Sequence, residues 1–236
     1  MDSNASSITN ASTIAGRAAW FAMAAIAAAF LCLVALHVLS PEFHPSWRMV
    51  SEYAFGHYGW VLSLMFLAWG VSTWALAAAI WSQIQTKAGK LGAWLLIVAG
   101  LGEAMASVFD ITHDVGHSVA GILGVLGFPI AAMLVSASLD HTPAWSSMSK
   151  KLRHGCAHLT WISVVLLVAS LILMTVQVAH ANGGRLPQHA PAALPAGVIG
   201  FDGWADRLVI LSSFLWATVV ARQAIRVRCR GAGELT

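Results

Sequence analysis

Residues 155–179 read GCAHLTWISVVLLVASLILMTVQVA, and they decide the fold class. The stretch contains no Lys, Arg, Asp or Glu. A helix rises about 1.5 Å per residue, so about 20 mostly apolar residues cross the ~30 Å hydrocarbon layer of a bilayer. A barrel strand needs about half that length and alternates in polarity, whereas this run is apolar all round. It reads as a transmembrane helix, which satisfies its backbone polar groups internally where no water is present to do so.

Five further stretches read the same way, at about 14–39, 59–82, 91–109, 117–139 and 204–224. The composition agrees. The chain has 236 residues, 58% hydrophobic and only 10% charged, against about 25% charged in a soluble domain. The sequence therefore predicts an all-α polytopic membrane protein, a bundle of six transmembrane helices folded as one domain over 17–224. A polar tail, 1–16, precedes it and a basic tail, 225–236, follows. The first apolar run exceeds the 7–15 residues (roughly) of a signal-peptide core and is expected to be retained.

The net charge of +3 and the pI near 9 raise the question of nucleic acid, and the charge distribution answers it. Ten of the thirteen Lys and Arg residues fall on one side of the six spans: Arg17, Lys87, Lys90, Lys150, Lys151, Arg153, Arg222, Arg226, Arg228 and Arg230. Arg48, Arg185 and Arg207 fall on the other. That asymmetry is the positive-inside signal. It predicts both termini in the cytoplasm, membrane lipid as the partner, and no nucleic acid. The three cysteines, Cys32, Cys156 and Cys229, form no framework. Tryptophans near the span ends, among them Trp20, Trp60, Trp81, Trp94, Trp161 and Trp204, match an interfacial aromatic belt. Glycines at 100, 102, 121, 124 and 127 predict close helix approach.

Polar side chains gather in the three outer loops. Loop one, SPEFHPSWRMVSEYAFGHYG, carries Glu42, His44, Arg48, Ser51, Glu52, Tyr53 and His57, and its middle, 45–54, suits a short amphipathic helix lying at the interface. Loop two, FDITHDVGHS, carries Asp110, His113, Asp114 and His117. Loop three runs from His180 to Gly203 and includes His189, with Asp202, Asp206 and Arg207 following at the head of the last span. Imidazole and carboxylate are ligands that Zn²⁺ and similar divalent ions accept. Asp110, His113 and His117 could hold such a metal, with Glu52 as the catalytic base. The alternative is that they are caps and interfacial polar groups, with Asp114 capping the fourth helix. A helix running on through Asp114 would set Glu103, Asp110 and His117 on one stripe. Glu103 lies within the third span, where a carboxylate is protonated or paired. Arg207 could pair with it or with Glu52.

The segments PSWRMVSEYAFGHYGW at 45–60, FD…GH at 109–117 and GWADR at 203–207 resemble domain-of-unknown-function family 998, six-span membrane proteins of bacteria and archaea. The resemblance covers nearly the whole chain. Its matching positions are Ser51, Glu52, Asp110, His117 and Arg207, while His113 and Asp114 depart from it. It implies a six-helix fold and a bacterial cytoplasmic (inner) membrane, and no established activity. A more distant likeness is to the zinc-holding alkaline ceramidases and progestin-type receptors, whose ligand types Ser51, Asp110, His113 and His117 share. Those proteins have seven helices, and their final-helix His pair is missing here.

Two functional readings remain open. One is a lipid- or small-molecule-binding or permease-like membrane protein with an outer polar centre formed by Ser51, Glu52, Asp110, His117, Arg207, Arg48 and Glu103. The other is a metal-dependent hydrolase acting on a lipid or lipid-linked substrate at the outer leaflet, with Arg48 or Arg207 holding an anionic headgroup.

Overall fold

The computed structural model describes residues 2–185 and 193–233; His189 and the last three residues of the basic tail lie outside them. Among the described residues the regular structure is all helical, with no strand. Helix α1 spans Asp2–Leu39, α2 Gly59–Ile80, α3 Lys87–Ala106, α4 Asp114–Gly121, α5 Gly127–Leu139, α6 Lys150–Ala181 and α7 Asp202–Gly233. A π-helical segment, Ile122–Leu126, joins α4 to α5 into one membrane-length unit. Among the described residues, six helical units are long and apolar enough to cross a membrane: Ile14–Leu39, Gly59–Gln83, Lys87–Ala106, Asp114–Leu139, Lys150–Ala181 and Asp202–Cys229. The protein is a multi-pass membrane bundle.

Neighbouring helices in the chain pack on each other: α1 on α2, α2 on α3, α3 on α5, and α6 on α7. Helix α7 closes the bundle by returning to α1. Both termini therefore lie at one end, where Gly16 of α1 approaches Arg228 of α7. The core is apolar and centres on Trp216, Phe128, Met65, Leu76 and Leu96, all buried. Trp216 sets its ring edge to face against Phe128 at 5.5 Å and donates from Nε1 to Ser136 Oγ at 3.0 Å, so its one polar atom is satisfied inside the core. Trp20, Trp60, Trp94, Trp161 and Trp204 are exposed on the bundle surface, as an aromatic belt requires.

Small residues fix the closest helix approaches. A Cβ at Gly70 of α2 would lie 2.7 Å from the Gly100 carbonyl oxygen of α3. One at Gly102 of α3 would lie 2.5 Å from the Gly124 amide and 2.7 Å from the Ala120 carbonyl oxygen. Only glycine allows backbone to meet backbone there. The glycines of the fourth unit divide: Gly124 and Gly127 face α3, while a Cβ at Gly121 would meet nothing within 4 Å.

The π segment has a local cause. Pro129 of α5 lacks an amide hydrogen, so the carbonyl four residues earlier, Val125, loses its helical donor. Val125 lies inside Ile122–Leu126. The ladder widens there, an irregularity common at functional positions.

At the termini end, a polar network holds the turns together. Arg153 is fully buried and donates to Gln223 Oε1 at 2.9 Å and to Asp140 Oδ1, with Trp145 under its guanidinium at 5.4 Å. His154 Nε2 meets the other Asp140 oxygen at 2.9 Å. Burial raises the Asp140 pKa, but the hydrogen bonds and charge of His154 and Arg153 outweigh it and hold the carboxyl below its ordinary value. The 140–154 segment thus folds back into the bundle and is more than a solvated basic loop.

Candidate functional site

At the end opposite the termini, the sequence folds loop one into the bundle. Val50–Phe55 forms a short 3-10 helix with Val50, Ser51, Glu52 and Tyr53 all buried. The expected interfacial helix is therefore internal, because polar groups beneath it supply partners. The Val50 amide donates to Asp206 Oδ2 of α7 at 2.7 Å. Glu52 accepts from the Met49 amide at 2.7 Å, satisfying a donor at the helix start. Its other oxygen pairs with Arg48 Nη1 at 2.6 Å.

Arg207 is the hub of this end and is 3% exposed. Its Nε donates to His37 Nε2 at 2.7 Å, Nη1 to the carbonyls of Arg48 and Gly203 at 2.8 Å each, and Nη2 to Tyr53 Oη at 3.1 Å. Guanidinium N–H groups only donate, so His37 Nε2 accepts. His37 Nδ1 then carries the proton and donates to the Leu33 carbonyl at 2.7 Å. The Glu52–Arg207 ion pair considered from sequence does not form: Glu52 takes Arg48, and Arg207 takes α1, loop one and its own helix.

The loop-two cluster divides. Helix α3 ends at Ala106 and a turn follows, so Glu103, Asp110 and His117 do not share a helical stripe. Asp110 Oδ1 accepts from the Thr112 amide at 2.9 Å, from the Thr112 hydroxyl at 2.5 Å and from His113 Nδ1 at 3.1 Å. The Thr112 hydroxyl bond, joined by the Thr112 amide and His113, outweighs burial and holds Asp110 below its ordinary pKa. His113 is the N-cap of α4, and Asp114 is its first residue, an acidic group in the first turn with no capping role. His117 Nδ1 donates to the Phe109 carbonyl at 3.0 Å. A metal shared by Asp110, His113 and His117 would require His117 to ligate through Nε2 or to release Phe109. Among the described residues, no group of three or more His, Cys, Asp or Glu is arranged to hold a metal ion.

A cavity of about 500 Å³ opens between α2, α3, α4 with its π segment, α6 and α7. Helix α4 packs on α3 while α6 packs on α7 and α5, and the gap between them is left unfilled. Its wall is almost wholly apolar, from Phe66, Trp69, Val125, Leu167 and Ile210 among others. Its polar groups are Ser51, Glu103, His117, Ser118 and Asp206. Glu103 is 3% exposed; Oε2 accepts from Thr73 at 2.6 Å, and Oε1 has no hydrogen-bond partner. Ser51 Oγ is also buried without one.

Of the residues singled out from sequence, Ser51, Glu103 and His117 thus line one cavity. Glu52, Arg48 and Arg207 form the layer beside it, and Asp110 stands apart in its turn. Sequence reading passed over Asp206, His37, Tyr53 and Thr73 as site residues. Asp206 carried a signal, lying beside Arg207 in GWADR. His37 carried a weaker one, as a histidine at the outer end of the first span, and Thr73 carried none, being a hydroxyl beside Ser72 within an apolar run.

No curated protein and no solved structure matches the chain. Residues 23–223 match the family described as protein of unknown function, DUF998. That match takes in every helix bordering the cavity and the Arg207 hub, and the chain belongs to this family.

Proposed function

We propose that the protein binds lipid in the bacterial cytoplasmic membrane, holding the chain of a membrane amphiphile in the cavity between α2, α3, α4, α6 and α7. The observation that carries this reading is the cavity itself, apolar along its wall with a few polar groups converging on it. Its volume falls within the roughly 300–1,000 Å³ of small-molecule sites, which combine an apolar lining with a few orienting polar atoms. Apolar residues beside the gap, Ile122, Leu126 and Val168, are exposed on the bundle surface, so a chain can pass from the bilayer between α4 and α6. The charge asymmetry supports cytoplasmic termini, which sets the polar groups toward the outer leaflet. Partners are membrane lipids and not nucleic acid.

Native mass spectrometry of the protein released from nanodiscs tests the reading. A single amphiphile retained per chain, and lost when Gly121 is replaced by Phe, is the expected result. A chain that emerges bare under conditions that preserve its fold contradicts it.

A further inference from the structure

The charges at the outer-loop end of the bundle do not balance. Glu52, Glu103 and Asp202 are buried in or just beneath this end, and Asp206 is half-buried beside them. Arg48 and Arg207 are the guanidiniums among these carboxyls. Arg48 pairs with Glu52 at 2.6 Å, and Arg207 follows Asp206 at the head of α7. Among the described residues, Glu103 and Asp202 have no ion-pair partner. Theirs are also the buried carboxyl oxygens left without a hydrogen bond: Glu103 Oε1 and both oxygens of Asp202. A carboxyl away from water and without a cation takes a proton rather than stay charged.

Glu103 differs from Asp202 in lining the cavity. It lies within the last turn of α3. Thr73 donates to its Oε2 at 2.6 Å, so the acid proton sits on the unpartnered Oε1. The titratable groups facing it across the cavity are His117 of α4 and Asp206 of α7, with the hydroxyls of Ser51 and Ser118. Phe66 and Trp69 of α2, and the valines and leucines of α6, bring none. No Lys or Arg lines the space. His117 and Asp206 stand at the helix heads next to the outer loops, so polar groups lead from Glu103 toward that side. About 500 Å³ admits water at roughly 30 Å³ per molecule, and the polar groups give it partners.

We infer that Glu103 is a proton-binding site of the cavity: a carboxylic acid at neutral pH whose Oε1 proton exchanges with the outer-loop side through the cavity. Oε1–H gives its proton to water in the cavity and takes one back, so atoms and charge balance. The inference goes beyond the lipid-binding reading and shares only its cavity. A chain seated there shuts the proton route, so occupancy and exchange exclude each other.

Infrared spectroscopy in nanodiscs of ether-linked lipid, which has no ester carbonyl, reads the acid directly. At neutral pH the parent protein should show a carboxylic-acid carbonyl band that Glu103→Gln loses. Thr73→Val should move that band to higher frequency and keep it, because the hydrogen bond to Oε2 is gone. In deuterium oxide the band should shift as Oε1–H becomes Oε1–D. Gly121→Phe fills the cavity and should slow that shift. Dicyclohexylcarbodiimide gives a readout that needs no variant. The acid proton adds to one carbodiimide nitrogen and the carboxyl oxygen to the central carbon; acyl transfer to nitrogen then leaves a stable N-acylurea, mapped to Glu103 by peptide mass spectrometry. A spectrum without that band, as an ion pair of Glu103 with protonated His117 would give, overturns the inference. So does a folded parent protein that forms no adduct at Glu103, a band that deuterium oxide leaves in place, or a shift equally fast in a folded Gly121→Phe protein. The lipid-binding reading stands or falls separately, on whether an amphiphile is retained in the native mass spectrum.

Discussion

Arg207 Nε donates a 2.7 Å hydrogen bond to His37 Nε2, tying the head of α7 to the last turn of α1. The same guanidinium holds Tyr53 and the Arg48 carbonyl of loop one. One buried side chain therefore joins the first helix, the last helix and the segment between α1 and α2. Intramembrane arginine is tolerated only where its donors are satisfied, and here the chain supplies acceptors from three elements.

Replacing Arg207 by Ala should leave the His37 nitrogen, the Tyr53 hydroxyl and the Arg48 carbonyl without that donor. At about 1–3 kcal/mol for each unsatisfied buried group, the loss should lower the melting temperature in detergent by many degrees. Arg207→Lys should recover only part of it, because an ammonium cannot span the same fork of acceptors. Equal melting of Arg207→Ala and the parent protein would contradict the hub.

The glycines divide into two classes with opposite expectations. Gly102→Ala drives a methyl group into the Gly124 amide and the Ala120 carbonyl, an overpacking that costs about 1–3 kcal/mol. Gly121→Ala points into open space with ordinary helical backbone, φ −62° and ψ −44°. It should be neutral or slightly stabilising, since Ala is the better helix former. Thermal melting of the two variants side by side checks the contrast.

The termini end should be acid-sensitive through Asp140. Its carboxyl is held below the ordinary value, so it contributes stability that is present above the unfolded pKa, about 3.9. That stability is lost as pH falls through the lower folded pKa. Unfolding measured from pH 6 down to pH 3 (approximate bounds set by that carboxylate range) should steepen at the acid end. Asp140→Asn should flatten that part of the profile. It should also destabilise the protein at neutral pH, because it leaves buried Arg153 without its counter-charge.

Chelation should leave the protein unchanged. Asp110 is committed to Thr112 and His113, and His117 to the Phe109 carbonyl. Melting with and without a chelator should coincide, and His117→Ala should bind zinc no more weakly than the parent. A chelator-induced drop in melting temperature that His117→Ala abolishes would favour the metal reading.

The six-helix architecture was legible because lipid imposes one strong rule, long apolar runs with internally satisfied backbone, and residues 155–179 obey it plainly. The end of α3 was not. Val108 and Phe109 look as apolar as the helix before them, yet the chain turns there and Gly116 packs against Phe109, where a Cβ would lie 2.7 Å from the ring. That turn separates Asp110 from Glu103 and dismantles a stripe that periodicity alone supports. The cavity was not legible for a different reason. Val164, Leu167 and Val209 read as core or lipid-facing residues, and only the divergence of α4 from α6 makes them a wall. Glu103 stood out as an ionisable group within an apolar span, a signal that survives without knowledge of packing, while Ser51 was marked by the family resemblance of its segment.

Photolabelling of the cavity wall tests the central claim most directly. A diazirine hydrocarbon in nanodiscs should label Trp69 and Glu103, which are buried from the outer surface, as well as lipid-facing Ile172, the internal standard. Gly121→Phe fills the space and should cut the Trp69 and Glu103 signals about tenfold relative to Ile172, the scale of about 1.4 kcal/mol of lost binding. Gly155→Phe, at a glycine equally open but outside the cavity, should leave them unchanged. Absence of label at Trp69 and Glu103 in the parent protein, or label that Gly121→Phe does not reduce, would contradict the account.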